Sequence, residues 1–373
     1  MISNIEVKEI SALYETPIVQ QTAFWSVVKN KLGVSTLAVE YKANSSSVFR
    51  NETRNQPISS DVLIVLQQIN RDQCIAYVPY GPELEPDEEL QGKFLEELSE
   101  SIRPFLPDSC ILIRYDLCWK SHWTSEDDFD SDGNWLGEPG VKSQEMMINF
   151  NTVNWNLRKA SFNILPSNTI FLNLKNGAEN LLERMKPKTR YNIGLSQRKG
   201  VQVREAGMER IRVWYNLYQE TALRNGIVLN DIKYFEAILS AAAEQSGSMT
   251  GVKLLVAESD NKPLAAMFLI RSDNRGSYLY GASSGSNRNL MATYALQWEA
   301  INISMREGCT QYDMFGISPK PDPSHPLYGL YKFKTGFGGN IFRSLGCWDY
   351  PLKERDYFVF RSFESTTQGY HFN

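Results

Sequence analysis

No stretch of this 373-residue chain approaches the ~20 consecutive apolar residues that a membrane-spanning helix needs. Histidine is scarce, at His122, His325 and His371, and the five cysteines (Cys74, Cys110, Cys118, Cys309, Cys347) contain no Cys-x-x-Cys pair. Cys118 and His122 are close enough in sequence to share a metal, but nothing nearby completes a ligand set, so no metal is expected. Cysteines scattered in this way read as reduced, core-filling thiols rather than a disulfide framework. A Gly-x-Ser-x-Gly elbow, a Walker loop and a dinucleotide glycine fingerprint are all missing. The segment Met1-Ile2-Ser3-Asn4-Ile5-Glu6 has neither a basic flank nor an apolar core, so a secretory signal is not expected there and a cytoplasmic location is. An enzyme built from this chain must work by positioning and electrostatics.

Charge is also unevenly spread. The net charge is −4, which argues against a protein coated in nucleic acid, yet residues 184–204 hold seven Lys or Arg and no Asp or Glu. An uncompensated basic stretch on an acidic protein suits a locally docked phosphate-bearing ligand, and a solvated helix face accounts for it equally. Residues 83–97 and the loop 126–138 are strongly acidic.

The most informative stretch is Gly329-Leu330-Tyr331-Lys332-Phe333-Lys334-Thr335-Gly336-Phe337-Gly338-Gly339. Aromatic residues alternate with lysines and glycines follow. The pattern suits a site wall in which rings exclude water around a fixed cation. It also suits an amphipathic edge strand with snorkelling lysines.

The chain repeats one plan. Strand-like runs end at Tyr80-Gly81 and Tyr280-Gly281, helical patterns follow over 87–103 and 290–306, and each leads into a short strand carrying Tyr-Asp, at Tyr115-Asp116 and Tyr312-Asp313. In the second half, helices are expected over 210–225 and 231–244, then strands over 251–258 and 264–271 joined by Asp260-Asn261-Lys262-Pro263. Pro187 suits the first turn of a further helix ending near Gly200. This is the layout of the GNAT acyltransferases. The expected fold class is α/β (α+β): two tandem GNAT-like domains with mixed, mostly antiparallel sheets flanked by helices. The expected boundaries are 1–150 plus 345–373 for the first and 151–344 for the second. The glycine loop that binds coenzyme A pyrophosphate in such folds is not legible at Ser284–Ala292 or at Gly81–Pro86, so no cofactor is expected.

Several strings occur in a specific order: Gln21–Trp25 with Lys29, Val78–Pro82, Lys188–Ile193 with Arg198-Lys199-Gly200, Glu220-Thr221 with Arg224-Asn225-Gly226, Tyr278–Ser284, Leu296-Gln297-Trp298, Tyr312-Asp313 and the lysine-aromatic stretch. Together they resemble the Fem (FemABX) family of tRNA-dependent peptidoglycan aminoacyltransferases, in its compact type without a helical arm. The resemblance implies that the chain moves an amino acid from aminoacyl-tRNA to the stem-peptide amine of a peptidoglycan precursor, lipid-linked or UDP-linked. No hydrophobic anchor is legible in the sequence, so any membrane contact is expected to be peripheral, and a monomer is expected. The resemblance puts Phe333 and Lys334 where the family uses a Phe-Lys pair, the ring near the tRNA acceptor end and the lysine stabilising the transition state. It makes Lys29 a phosphate contact, Tyr80, Tyr234 and Tyr280 the lining of the acceptor groove, and Glu85 a carboxylate that could accept the amine proton. Lys186, Lys188, Arg190, Arg198 and Lys199 are the candidates for tRNA or phosphate contact. Where some relatives place an arginine four residues before Tyr234, this chain has Asn230, which also suits a helix N-cap.

Read without the resemblance, Lys29 is an exposed helix lysine, the three tyrosines are packing residues and Glu85 is surface charge. The alternatives are a GNAT-type N-acyltransferase with another donor or acceptor, and a non-catalytic module that binds precursor or tRNA.

Overall fold

The structure is a computed structural model, and it describes residues 1–52, 54–121, 152, 154, 156–226, 228–245, 249–318, 322, 323, 325 and 328–366. His122, His371 and the acidic loop 126–138 lie outside the described residues.

The chain begins with β1 (Ile2–Lys8), α1 (Ala23–Lys31), β2 (Thr36–Asn44), β3 (Pro57–Gln68), β4 (Cys74–Val78), α2 (Gln91–Ile102), β5 (Cys110–Lys120) and β6 (Arg158–Lys159). It continues through β7 (Asn168–Asn173), α3 (Gly177–Arg184), α4 (Pro187–Arg198), β8 (Gln202–Ala206), α5 (Ile211–Asn225), α6 (Ile232–Glu244), β9 (Gly251–Ser259), β10 (Lys262–Ser272) and β11 (Arg275–Ser283). Then come α7 (Ala292–Arg306), β12 (Gln311–Asp313), α8 (Tyr328–Thr335), β13 (Asn340–Pro351) and α9 (Glu354–Thr366).

These elements form two compact units. One holds Met1–Tyr14, Gln20–Ser167 and residues 343–366; the other holds Glu15–Val19 and Asn168–Phe342. The division expected at residue 150 lies outside the described residues, and the units part after Ser167.

In the first unit the strand order is β1-β2-β3-β4-β5-β13, with β6 on β13. All neighbours are antiparallel except β4 and β5, which run parallel and are joined through α2. The second unit repeats this. Its order is β7-β12-β11-β10-β9-β8, antiparallel except for the parallel pair β11 and β12, joined through α7. A parallel neighbour requires such a crossover, because two strands running the same way cannot share a hairpin. The duplicated plan seen in the sequence is therefore a β-α-β unit that occurs once in each half, among mostly antiparallel strands.

Local chemistry explains several element ends. Asp260 and Asn261 take left-handed φ values (50° and 60°), as the tight β9–β10 turn requires. The Thr22 hydroxyl caps α1 by accepting from the Trp25 amide at 3.3 Å. Asp231, not Asn230, caps α6: its carboxylate accepts from the Lys233 amide at 2.8 Å. Each unit closes its own core. Val39, Val62, Phe94, Leu98, Trp119 and Trp348 anchor the first; Leu255, Met267, Leu296, Ile301, Tyr312 and Phe337 anchor the second. Cys74, Cys110, Cys309 and Cys347 are buried free thiols.

The lysine-aromatic stretch is helical, not an edge strand. Period-two alternation of rings and lysines hides a second regularity at three and four residues. On α8 that spacing turns Lys334 inward beside Phe333 and Phe337, and leaves Lys332 exposed. Gly338 follows with φ 78°, and its α-carbon packs so closely on the Arg184 carbonyl that an added Cβ would lie 2.4 Å from that oxygen.

Candidate functional site

Lys334 is the centre of the best-built polar constellation in the second unit. It is only 3% exposed. Its Nζ donates to the carbonyls of Phe315 (3.0 Å) and Gly316 (2.7 Å) and lies 5.0 Å from the centre of the Tyr278 ring. Burial lowers its pKa to about 7, against the opposing pull of the Asp313 charge. The rings beside it are locked: Phe333 meets Tyr294 and Phe337 edge-to-face at 4.9 and 5.4 Å. Such packing excludes water from the cation and holds it to one rotamer, the conditions under which a fixed charge stabilises a developing one.

Tyr278 reaches this place because the strand register slips between Phe268 and Leu269, opposite Tyr280 and Tyr278. Its hydroxyl lies over Gly281, where a Cβ would come within 1.6 Å, so no other residue fits beneath it. Burial pushes the Tyr278 phenol up to about 12.

Tyr234 and Tyr280 share a hydrogen bond of 2.7 Å between their hydroxyls and meet edge-to-face. Both are half-buried, and desolvation raises both phenols above their ordinary value. They form one polar-tipped aromatic pair.

The five basic candidates do not behave alike. Lys186 and Lys188 stand exposed at the start of α4, and Arg198 and Lys199 stand exposed at its end, with Arg198 5.7 Å over the Tyr191 ring. Arg190 is committed elsewhere: its Nη1 donates to the carbonyls of Leu182, Glu183 and Met185, closing the end of α3.

In the first unit, Lys29 is half-buried with its ammonium 5.3 Å over the Trp25 ring, and desolvation lowers its pKa to about 8. That is unlike an exposed helix lysine. The Tyr80 hydroxyl donates to the Pro166 carbonyl at 2.6 Å, from a residue at φ 47°. Glu85 is exposed as a residue, yet desolvation of its carboxyl raises its pKa; the Lys120 amide, donating at 3.1 Å, opposes that shift.

The β11–α7 loop is closed by the protein's own carboxylate. Glu220 accepts from the Gly285 amide at 2.5 Å and from the Ser284 hydroxyl at 3.1 Å. Arg224 ties the same loop through the Ser283 carbonyl (3.0 Å) and hydroxyl (3.1 Å). A phosphate seeking that amide meets a negative charge already in place.

Sequence reasoning did not find Asp313, Thr169 or the Phe315–Gly316 carbonyls. Tyr312-Asp313 was visible as half of a repeated dipeptide, but nothing in the string ties it to a lysine 21 positions later.

The sequence model of the FemAB family matches residues 2–247 and 240–365. Lipid II:glycine glycyltransferase of Staphylococcus epidermidis is 23% identical over 248 residues, covering 51% of this chain and 60% of that protein. The Staphylococcus aureus protein of the same name is 22% identical over 253 residues, with coverage of 51% and 60%. The matched region thus spans about three-fifths of the length of these relatives. Among solved structures, FemX superposes with a TM-score of 0.70 at 16% identity, over 96% of this chain and 100% of FemX. A tandem GNAT protein from the clavulanic acid biosynthesis pathway superposes with a TM-score of 0.51 at 8% identity, over 94% and 98% of the two chains.

Proposed function

The chain belongs to the FemAB family, and on that premise we propose that it is an aminoacyltransferase, moving an amino acid from charged tRNA to the stem-peptide amine of a peptidoglycan precursor. The observation that carries this reading is the buried, doubly hydrogen-bonded ammonium of Lys334. The relatives' name favours the lipid-linked precursor as acceptor. Among the described residues no helix is long and apolar enough to cross a membrane.

The donor ester is already activated, so the amine can attack its carbonyl directly. A C–N bond forms, the ester C–O bond breaks, and the amine's proton ends on the departing ribose oxygen. Negative charge grows on the carbonyl oxygen and then on that leaving oxygen. Lys334 has two N–H groups given to carbonyls and a third to offer. Phe333 supplies the dry wall beside it. In the second unit, Tyr234 and Tyr280 would line the acceptor groove. In the first unit, Tyr80 keeps the groove role and Lys29 the phosphate contact that the resemblance implies, and Glu85, its pKa raised, is a carboxyl suited to relaying a proton. The carboxylate-closed β11–α7 loop disfavours acyl-coenzyme A as donor.

Transfer of labelled amino acid from a panel of charged tRNAs, glycyl-tRNA included, to lipid-linked and UDP-linked precursor tests the reading. Labelling of only a protein or a lipid amine would sink it. Along α4, Lys186→Ala and Lys188→Ala should each weaken tRNA binding at low salt and reduce the slope of log affinity against log salt by about one. Arg190→Ala should leave that slope unchanged and lower the melting temperature, because its guanidinium caps α3.

A further inference from the structure

Lys334 cannot hold its place by packing alone, since a buried ammonium needs acceptors. Its acceptors are two successive carbonyls of a turn in which Phe315 has φ 56°. A phenylalanine in the left-handed region is strained, and such a turn persists only where its surroundings over-determine it. Asp313, at the end of β12 and 8% exposed, is what does so. One carboxylate oxygen, Oδ1, accepts from the Phe315 amide at 2.8 Å and from the Thr169 hydroxyl on β7. The turn is thereby tied to the strand beside it.

We propose that Asp313 is the positioning residue of this site: it pins the Phe315–Gly316 turn that receives the Lys334 ammonium, and it supplies that ammonium's counter-charge. The role deepens the transfer reading, because the cation it positions is the one assigned to the reaction. The repeat supports it. In the first unit the matching Tyr-Asp places Asp116 to accept from the Leu165 amide (2.9 Å) and the Tyr77 hydroxyl (3.0 Å), so tying a following segment is what this carboxylate does in both halves. In the second unit, the tied turn presents its carbonyls to a lysine.

The groups around Lys334 leave Asp313 as its one anionic neighbour among the described residues. Tyr278 faces it from β11 and stays neutral, its phenol being raised to about 12 by burial. On β12 the Tyr312 hydroxyl is turned to Gln297, to which it donates at 2.8 Å. Tyr294 of α7 packs on Phe333, and Lys332 lies exposed on the opposite side of α8. Removing the Asp313 charge therefore lowers the Lys334 pKa, and the basic limb of the activity profile, which follows loss of the ammonium, moves to lower pH.

The test is an NMR titration of the full chain carrying [ε-13C]lysine, with the Lys334 signal identified by its loss in Lys334→Met. Asp313→Asn should lower the Lys334 titration by about one pH unit or more, and should cut kcat about 10²-fold with KM little changed. Thr169→Val keeps the charge and removes one tie; it should cut kcat about tenfold and leave the titration where it was. An unmoved Lys334 titration in Asp313→Asn overturns the counter-charge, and wild-type kcat in Thr169→Val overturns the pinning. If Asp313→Asn does not fold, Asp313→Glu replaces it: kcat falls while Lys334 titrates near its wild-type pH, and an unchanged kcat overturns the role. A shifted titration in a protein that transfers nothing from any charged tRNA would uphold the pairing and remove the transfer reading instead.

Discussion

Lys334→Met is expected to reduce kcat for aminoacyl transfer roughly 10²–10³-fold, the loss typical of removing one preorganised donor from a developing oxyanion. Methionine fills much of the same volume between Phe333, Phe337 and Tyr278, so the walls of the site should stand. What disappears is the charge. Affinity for charged tRNA and for precursor should change little. A module that only binds these ligands would show the reverse: weaker binding and no turnover to lose.

The same substitution has a signature in stability. The folded-state pKa of Lys334, about 7, lies below its ordinary 10.5. Between those values the unfolded chain binds more protons than the folded one, so stability rises with pH across the window. The cost of burying the charge is fully present below about pH 7 and fades above it. It amounts to about 5 kcal/mol at most. Lys29, lowered to about 8, adds a contribution of the same sign. Buried thiols with raised pKa (Cys110, Cys309 and Cys347) act oppositely from about pH 9, and buried tyrosines above about pH 10. The melting temperature should therefore climb from pH 7 to about pH 9, and Lys334→Met should flatten most of that climb. A variant that keeps the full slope would show that another group carries it.

Arg114→Met is expected to destabilise the first unit by about 3–5 kcal/mol, the largest stability effect foreseen for a single substitution in this chain. Arg114 on β5 is 2% exposed and holds two carboxylates at once. Its Nε and Nη2 donate to the two oxygens of Asp349 at 2.6 and 2.8 Å, and its Nη1 and Nη2 donate to Glu364 at 2.5 and 3.0 Å. Asp349 is 1% exposed and Glu364 7%. Removing the arginine leaves two buried negative charges facing each other without a cation, which costs far more than an exposed pair. Because Glu364 lies on α9, hydrogen exchange over 354–366 should rise together with the loss in denaturation midpoint. A triple variant, Arg114→Met with Asp349→Leu and Glu364→Leu, should recover much of the loss, since the charges then leave together. If Arg114→Met alone melts like the wild type, the ion cluster is not what holds α9.

Much of the fold was legible because it rests on local rules. Helices over 211–225 and 232–244 and strands over 251–259 and 262–272 follow from residue periodicity and from turn residues such as Asp260-Asn261. The duplication was legible because a β-α-β unit leaves the same markers twice, Tyr-Gly before the helix and Tyr-Asp after it. α8 was open to misreading because Tyr331, Lys332, Phe333 and Lys334 satisfy both periods over a few residues, and eight helical residues are too few to separate them.

By itself, then, the sequence determined the class of protein: an α/β pair of similar units, a family, and a lysine beside a phenylalanine as the feature to examine. Only the tertiary structure decided which charges are surface and which are buried. Lys332 and Lys334 are the same residue two positions apart, yet one is in solvent and the other lies against Phe315, Gly316 and Tyr278. Likewise Arg190 caps a helix while Lys186 and Lys188 stand free of the ends it closes. The physical reason is the range of the forces involved. Backbone propensity and amphipathic period act over three to four residues and are written into neighbouring letters. Desolvation and charge pairing depend on which distant segments arrive beside a side chain, and only the folded chain brings Asp313 and Thr169 to the turn that holds Lys334.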